Sequence, residues 1–143
     1  MRQLANILAA LVLLCGLIQS PAAIAQEAGE NLAIRNVITR QLDAFLADDA
    51  QRAYSFAAPG IQRLFPGEER FMGMVRQGYP PVYRPRSRDF GALRQTPQGP
   101  VQEVILIDAN GQAWLALYTM EQQPDGSWKI AGVRLVRENA VAA

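Results

Sequence analysis

Glu103, Tyr118 and Arg134 are the residues of this chain whose types and spacing could do chemistry: a carboxylate, a phenol and a guanidinium in three successive strand-like runs. A Glu desolvated beside a Tyr can move a proton if burial raises its pKa, which is the chemistry of a small lyase or isomerase. Such a pair needs strands that put both side chains on one face. Asn110-Gly111 and Asp125-Gly126 are hairpin signals between runs rich in Val, Ile, Leu, Tyr and Trp. If Asn110-Gly111 is a two-residue turn, Ile107 opposes Trp114, Ile105 opposes Ala116 and Glu103 opposes Tyr118. A second loop from Gln123 to Ser127 then sets Ile130 beside Met120, Gly132 beside Tyr118 and Arg134 beside Ala116. In this register Glu103, Tyr118, Arg134 and Trp114 form a ligand-binding group around the small residues Ala116 and Gly132. The competing reading is an ion pair between Glu103 and Arg134, and a one-residue slip of the second hairpin would carry Arg134 to the other face.

Arg84, Arg86 and Arg88 are the second candidate group. Asp89 is the only acid between Phe71 and Gln102, so the segment is the one clear charge asymmetry of the chain. Read as a strand, alternate spacing puts the three arginines on one side. Interleaved with Tyr79, Tyr83 and Phe90, they would bind an anionic polymer, a phosphate or carboxylate ligand, or a membrane surface. The alternative is a solvated edge strand whose charge discourages aggregation.

Other chemistries are excluded by composition. There is no histidine, and the one cysteine, Cys15, lies in the N-terminal stretch. Beyond that stretch the chain has neither imidazole nor thiol, so Cys/His zinc sites, Ser-His-Asp and Cys-His nucleophiles and disulfides are ruled out. No Asp-rich loop suggests a hard cation, and neither a metal nor a cofactor is expected.

The N-terminal stretch reads as a secretory signal peptide over residues 1–25. Arg2 gives the positive start, Leu4 through Ile18 the apolar run, and Pro21 breaks any helix before Ala23-Ile24-Ala25, whose small residues place cleavage before Gln26. Leu14 stands where a lipidation signal before Cys15 wants a small residue. The run is shorter than the roughly 20 apolar residues of a spanning helix, so cleavage leaves no stable membrane anchor. The expected location is periplasmic or secreted. Arg2 is the leader's only charge, so 13 of the 14 basic residues remain against 13 acids. A formally neutral domain lacks the overall field that nucleic acid requires.

Residues 26–138 are long enough for one domain, with 139–143 a frayed tail. Helices come first: Ile34, Val37, Ile38, Leu42, Phe45 and Leu46 keep the spacing of one helix face. Asp48 and Asp49 interrupt it and cap a second short helix from Ala50. A helical piece near Ile61 to Phe65 and a third helix from Glu68 to Gln77 follow. Tyr79-Pro80-Pro81-Val82-Tyr83 is expected to be extended, because proline restricts itself and its predecessor. An edge strand over Arg88 to Gln95 and a three-strand meander complete an α+β domain.

Specific runs carry a resemblance. Val37 through Ala50, with Ala53-Tyr54, resembles the opening helix pair of the nuclear transport factor 2-like, cystatin-like superfamily, and Asp125 through Ile130 is similar to its final hairpin. Phe71, Tyr79 to Tyr83, Phe90-Gly91, Asp108 to Trp114 and Gly126 to Gly132 resemble an exported bacterial domain of unknown function, numbered 4864. The resemblance implies a cone-shaped roll, with N-terminal helices packed on a curved antiparallel sheet. It brings no catalytic residues with it. The expected function is noncatalytic binding of a small apolar or amphipathic molecule, or of a partner protein; the rival is the Glu103/Tyr118 lyase or isomerase.

A homodimer through the sheet is also expected. In the register above one face carries Ile105, Ile107, Trp114, Met120 and Ile130, the other Val104, Leu106, Leu115, Leu117, Val133 and Leu135. Both faces are apolar, the helices cover one, and a second copy would cover the other. Dimerisation of this kind is also common in the superfamily that the chain resembles.

Overall fold

The structure, a computed structural model, describes residues 18–139. Arg2, Cys15 and most of the expected leader, like the end of the expected tail, lie outside the described residues. Helix α1 spans Pro21–Leu46, α2 Ala50–Ser55, α3 Pro59–Leu64, α4 Glu68–Gly78 and α5 Pro80–Tyr83. Strands β1 (Ser87–Thr96), β2 (Gly99–Ile107), β3 (Ala113–Gln122) and β4 (Trp128–Arg137) pair in sequence order as one antiparallel sheet. The chain is therefore α+β, helices first and a meander after.

Pro21 begins a helix instead of breaking one. Ser20 is the N-cap, its Oγ accepting from the Ala23 N–H at 3.3 Å, and a proline in the first turn lacks only a donor that would be free anyway. The opening turns of α1 are exposed, and burial starts at Ile34 and continues through Ile38, Gln41, Leu42, Ala44 and Phe45. The helix stops in a Schellman arrangement: Asp49 N–H donates to Ala44 O at 2.9 Å and Asp48 N–H to Phe45 O at 3.0 Å. Asp48 takes the left-handed conformation there, with φ 52°. Only Asp49 caps α2, accepting from Arg52 N–H at 3.1 Å. The expected capping role of Asp48 gives way to one in the helix stop.

The Pro-Pro segment is a correction of a different kind. Pro80 and Pro81 occupy the first turn of α5, where the fixed proline φ suits a helix, and the non-helical backbone falls on Tyr79, its N-cap. Tyr83 N–H closes the turn on Tyr79 O at 3.0 Å. Helical geometry buries Val82 and turns Tyr79 and Val82 inward, which an extended run would not do.

Strand register departs from expectation by one residue. Asp108 N–H donates to Gln112 O at 2.9 Å and Gly111 N–H to Asp108 O at 3.0 Å, so the loop holds three residues, with Gly111 at φ 78°. This is the turn with a left-handed bulge residue, not the two-residue turn. Asp108 pins it, accepting from Asn110 and Gln112 N–H and from Trp114 Nε1, each at 2.9 Å. Glu103 consequently faces Leu117, and Tyr118 faces Gln102. The second hairpin keeps Met120 opposite Ile130, but Ala131 bulges out, after which Gly132 pairs with Thr119 and Arg134 with Leu117.

Side chains therefore sort into a covered and an open face. Toward the helices point Gln102, Val104, Leu106, Ala116, Tyr118, Met120 and Ile130, all buried. Away from them point Val101, Glu103, Ile105, Leu115, Leu117, Arg134 and Val136. The two lists predicted from the sequence mixed these sets, because a one-residue shift exchanges faces.

Candidate functional site

A cavity of about 160 Å³ lies between the helices and the covered face. Phe45 from α1 forms part of its roof, and its ring stacks on Phe71 of α4 at 6.0 Å between centroids. Val75, one turn on from Phe71, shares the same wall, and α5 adds Val82. The floor is Ile130 and Val133 of β4. The linker after α2 closes one side: Ile130 N–H donates to Phe56 O at 2.9 Å and Ala58 N–H to Ile130 O at 2.8 Å. Half-buried Ile61, Phe65 and Met74 form the rim.

Gln41 is the polar exception in this wall. It is 2 % exposed and lies in the apolar stripe of α1, one turn before Phe45. Its Nε2 donates to Ala53 O at 3.1 Å. A carbonyl can only accept, so this bond fixes which end of the amide is which.

The residues expected to act together are divided between the faces. Tyr118 and Trp114 belong to the covered face, whereas Glu103 and Arg134 flank Leu117 on the open one. A phenol and a carboxylate on opposite sides of one sheet cannot share a proton, so the Glu103/Tyr118 pair has no geometric basis. Trp114 spends its indole N–H on Asp108 Oδ2 at 2.9 Å, with the Arg137 guanidinium 5.4 Å from its ring centroid. Tyr118 is fully buried, and its hydroxyl has no hydrogen-bond partner among the described residues. Desolvation pushes its pKa well above the usual tyrosine range, only slightly offset by the Arg88 charge.

Glu103 holds a bulge. Between Phe90 and Leu93 the register of β1 slips by one residue against β2. Above the slip, Glu103 accepts from Ala92 N–H at 3.3 Å and Arg94 Nε at 2.8 Å. Below it, Gln102 Nε2 donates to Gly91 O at 3.0 Å and to Ala92 O at 3.3 Å. The Arg94 bond, then the Ala92 N–H, hold the Glu103 carboxyl below the usual carboxylate range, the opposite of what a general acid needs. Its ion pair is with Arg94, not with Arg134. A Cβ at Gly91 would lie 3.1 Å from Glu103 Cβ, so a side chain there would crowd Glu103.

The three central arginines also part company. Arg84 follows α5 and its Nη2 meets Asp48 Oδ2 at 2.8 Å, while its guanidinium lies over the Tyr83 ring at 4.1 Å. The Tyr83 hydroxyl donates to Asp48, and that bond, reinforced by the Arg84 charge, lowers the Asp48 pKa. Arg88 sits on the covered face and its Nη2 pairs with Asp43 of α1 at 2.8 Å. Arg86 is exposed and makes no ion pair among the described residues. Arg84 thus ties the segment after α5 to the loop after α1, Arg88 ties β1 to α1, and a common anion-binding row does not form.

The sequence reading missed Gln41 as a site residue, although its signal was present: a lone amide at helical spacing among Ile34, Ile38, Leu42 and Phe45. Among the described residues no cluster of three or more His, Cys, Asp or Glu side chains could hold a metal, and no helix is long and apolar enough to cross a membrane. No curated protein and no solved structure matches the chain. Residues 27–143 match a family described as a domain of unknown function, DUF4864, and the chain belongs to that family.

Proposed function

We propose that this protein is an exported, noncatalytic binding module that takes a small, mainly apolar molecule into the cavity between its helices and sheet. One observation carries the reading: a cavity of about 160 Å³ walled by Phe45, Phe71, Val75, Val82 and Ile130. A pocket of this volume has room for a guest about the size of benzene. The cone-shaped, nuclear transport factor 2-like form of the fold belongs to the same proposal, supported by helices first and a four-stranded meander after. Export is supported by the exposed opening of α1, since the described residues that cleavage before Gln26 would remove, 18–25, are all exposed.

Toluene titrated into the mature protein and followed by amide NMR tests the cavity. Saturable shifts at Phe71, Val75, Val82 and Ile130 are expected, with a Kd of about 0.1–1 mM for so few atoms. Met74→Trp, which fills the rim, should abolish them. A titration without saturation at these amides would remove the reading.

The open face favours a second part, a homodimer through the sheet. Ile105 is 39 % and Val136 37 % exposed on it, beside half-buried Val101, Leu115 and Leu117. Glu103, Leu117 and Arg134 form one cross-strand row. A two-fold axis along β3 sets Leu117 on its own copy and Arg134 of each protomer over Glu103 of the other, so the row complements itself. Light scattering should give a dimer mass that falls to the monomer's in Leu117→Glu; a monomeric wild type would dismiss the interface.

A further inference from the structure

We infer that the cavity selects a ligand carrying one hydrogen-bond donor, a hydroxyl or N–H at one end of an apolar body, and that Gln41 Oε1 accepts from it. The inference rests on the cavity being a binding site and adds the chemistry of its guest. Gln41 is 2 % exposed and lines the cavity. Its Nε2 is anchored on Ala53 O at 3.1 Å, which turns Oε1 away from α2, and Oε1 accepts no hydrogen bond from any described residue. The atom is not among the polar atoms sealed off from solvent without a partner, unlike Gln102 Oε1 and Tyr118 Oη. With the residue otherwise enclosed, the space left to Oε1 is the cavity.

An amide oxygen in an apolar wall costs stability unless something donates to it, and a water held there would find few further partners among Phe45, Phe71, Val75 and Val82. A guest with a single donor satisfies the oxygen while its remaining surface meets hydrocarbon. An acceptor-only guest would leave two acceptors facing each other, and a carboxylate would bring a charge with no cation lining the cavity. The preferred class is thus a phenol, a small alcohol or an indole-sized N–H compound.

Phenol and toluene have the same size and differ in the donor, so the pair isolates the Gln41 contribution. Both are titrated into wild type and into Gln41→Leu. In wild type, phenol should shift the Gln41 side-chain amide signals clearly further than toluene, whose ring current alone reaches them. The ratio of phenol to toluene affinity should fall about three- to tenfold in Gln41→Leu, the range a hydrogen bond to a buried acceptor spans. Toluene binding by the variant shows that the cavity survives the substitution; if the variant does not fold, the amide signals of wild type decide alone. An unchanged ratio, or Gln41 amide signals that phenol and toluene shift alike, overturns the role of Gln41 and leaves the apolar cavity standing. Absence of binding by both compounds in wild type overturns the cavity reading and this inference with it.

Discussion

The two faces of the sheet are built from alternate residues of the same strands and solve opposite problems. The covered face packs Val104, Leu106, Ala116 and Met120 into the core until almost nothing is exposed, and leaves the Tyr118 hydroxyl and Gln102 Oε1 without partners among the described residues. The open face keeps Ile105 and Val136 partly in water, yet the Glu103 carboxylate is bonded on both oxygens. Burial gives the covered face its stability and its cavity at the expense of polar satisfaction; solvent access spares the open face that cost but leaves apolar surface uncovered. Chemistry-bearing residue types thus mislead here: the carboxylate pins a backbone bulge, the phenol is a core residue, and an amide borders the cavity.

The contrast predicts its largest effect at Leu42 and Leu117. Leu42 is fully buried on the inner side of α1, so Leu42→Ala should cost about 2–5 kcal/mol through lost burial and the remaining void. Leu117→Ala, on the open face, should cost under about 1 kcal/mol in the isolated chain. Urea unfolding at two protein concentrations measures both. A large, concentration-dependent loss at Leu117 would show that a second copy covers that face; equal, concentration-independent losses would break the distinction between the faces.

The sequence carried the order of elements and the α1 stripe because amphipathic spacing and turn residues act locally. Ile34, Ile38, Leu42 and Phe45 are where helical periodicity puts them, and Asp49 caps α2 as its type suggests. Register was not legible to the same degree. Asn-Gly fits both a two-residue turn and a three-residue loop with a bulge, and what decides between them is Asp108, whose carboxylate gathers three donors. That single residue moved Glu103 and Tyr118 apart. The bulges at Gly91-Ala92 and Ala131 depend on contacts with neighbouring strands and have no comparable local signal. Pro80-Pro81 was misread for another reason: proline excludes helix interiors but favours a first turn, and nothing in Tyr79 to Tyr83 says which applies. Gln41 was legible as the odd residue in an apolar stripe, though its free oxygen required the position of Ala53 O.

Tyr118 sharpens the comparison with the opposite sign. A fully buried hydroxyl without a partner opposes folding, so Tyr118→Phe should stabilise the protein, by up to about 1 kcal/mol. Denaturant unfolding checks the sign, and a clear loss would reveal a hydrogen bond to the hydroxyl. The raised pKa gives a second readout. The unfolded chain releases this proton near pH 10, the ordinary tyrosine value, while the folded chain still holds it. Stability is therefore constant in this respect below pH 10 and falls as pH rises beyond it, and Tyr118→Phe should flatten that fall.

The smallest effects are expected among the arginines, where the same division holds between a residue on the covered face and one outside it. Arg88 pairs with Asp43 at 2.8 Å with its side chain 30 % exposed, so Arg88→Gln should lower stability by up to about 1 kcal/mol after solvent screening. Arg86 is exposed and its backbone, not its side chain, ties it to the sheet, N–H to Ile107 O at 2.7 Å. Arg86→Gln should therefore stay within about 0.5 kcal/mol of wild type. If this segment attracts anions at all, Arg86 supplies the attraction, because Arg84 and Arg88 are already opposed by Asp48 and Asp43. Retention on an anionic matrix should then weaken in Arg86→Gln, and fall with salt as screening shortens to about 8 Å at physiological ionic strength. Thermal melts alongside the retention measurement separate the two roles. Equal stability losses in Arg86→Gln and Arg88→Gln would mean that Arg86 also ties elements together. Retention lost only in Arg88→Gln would mean that the Asp43 pair opens to admit the anion.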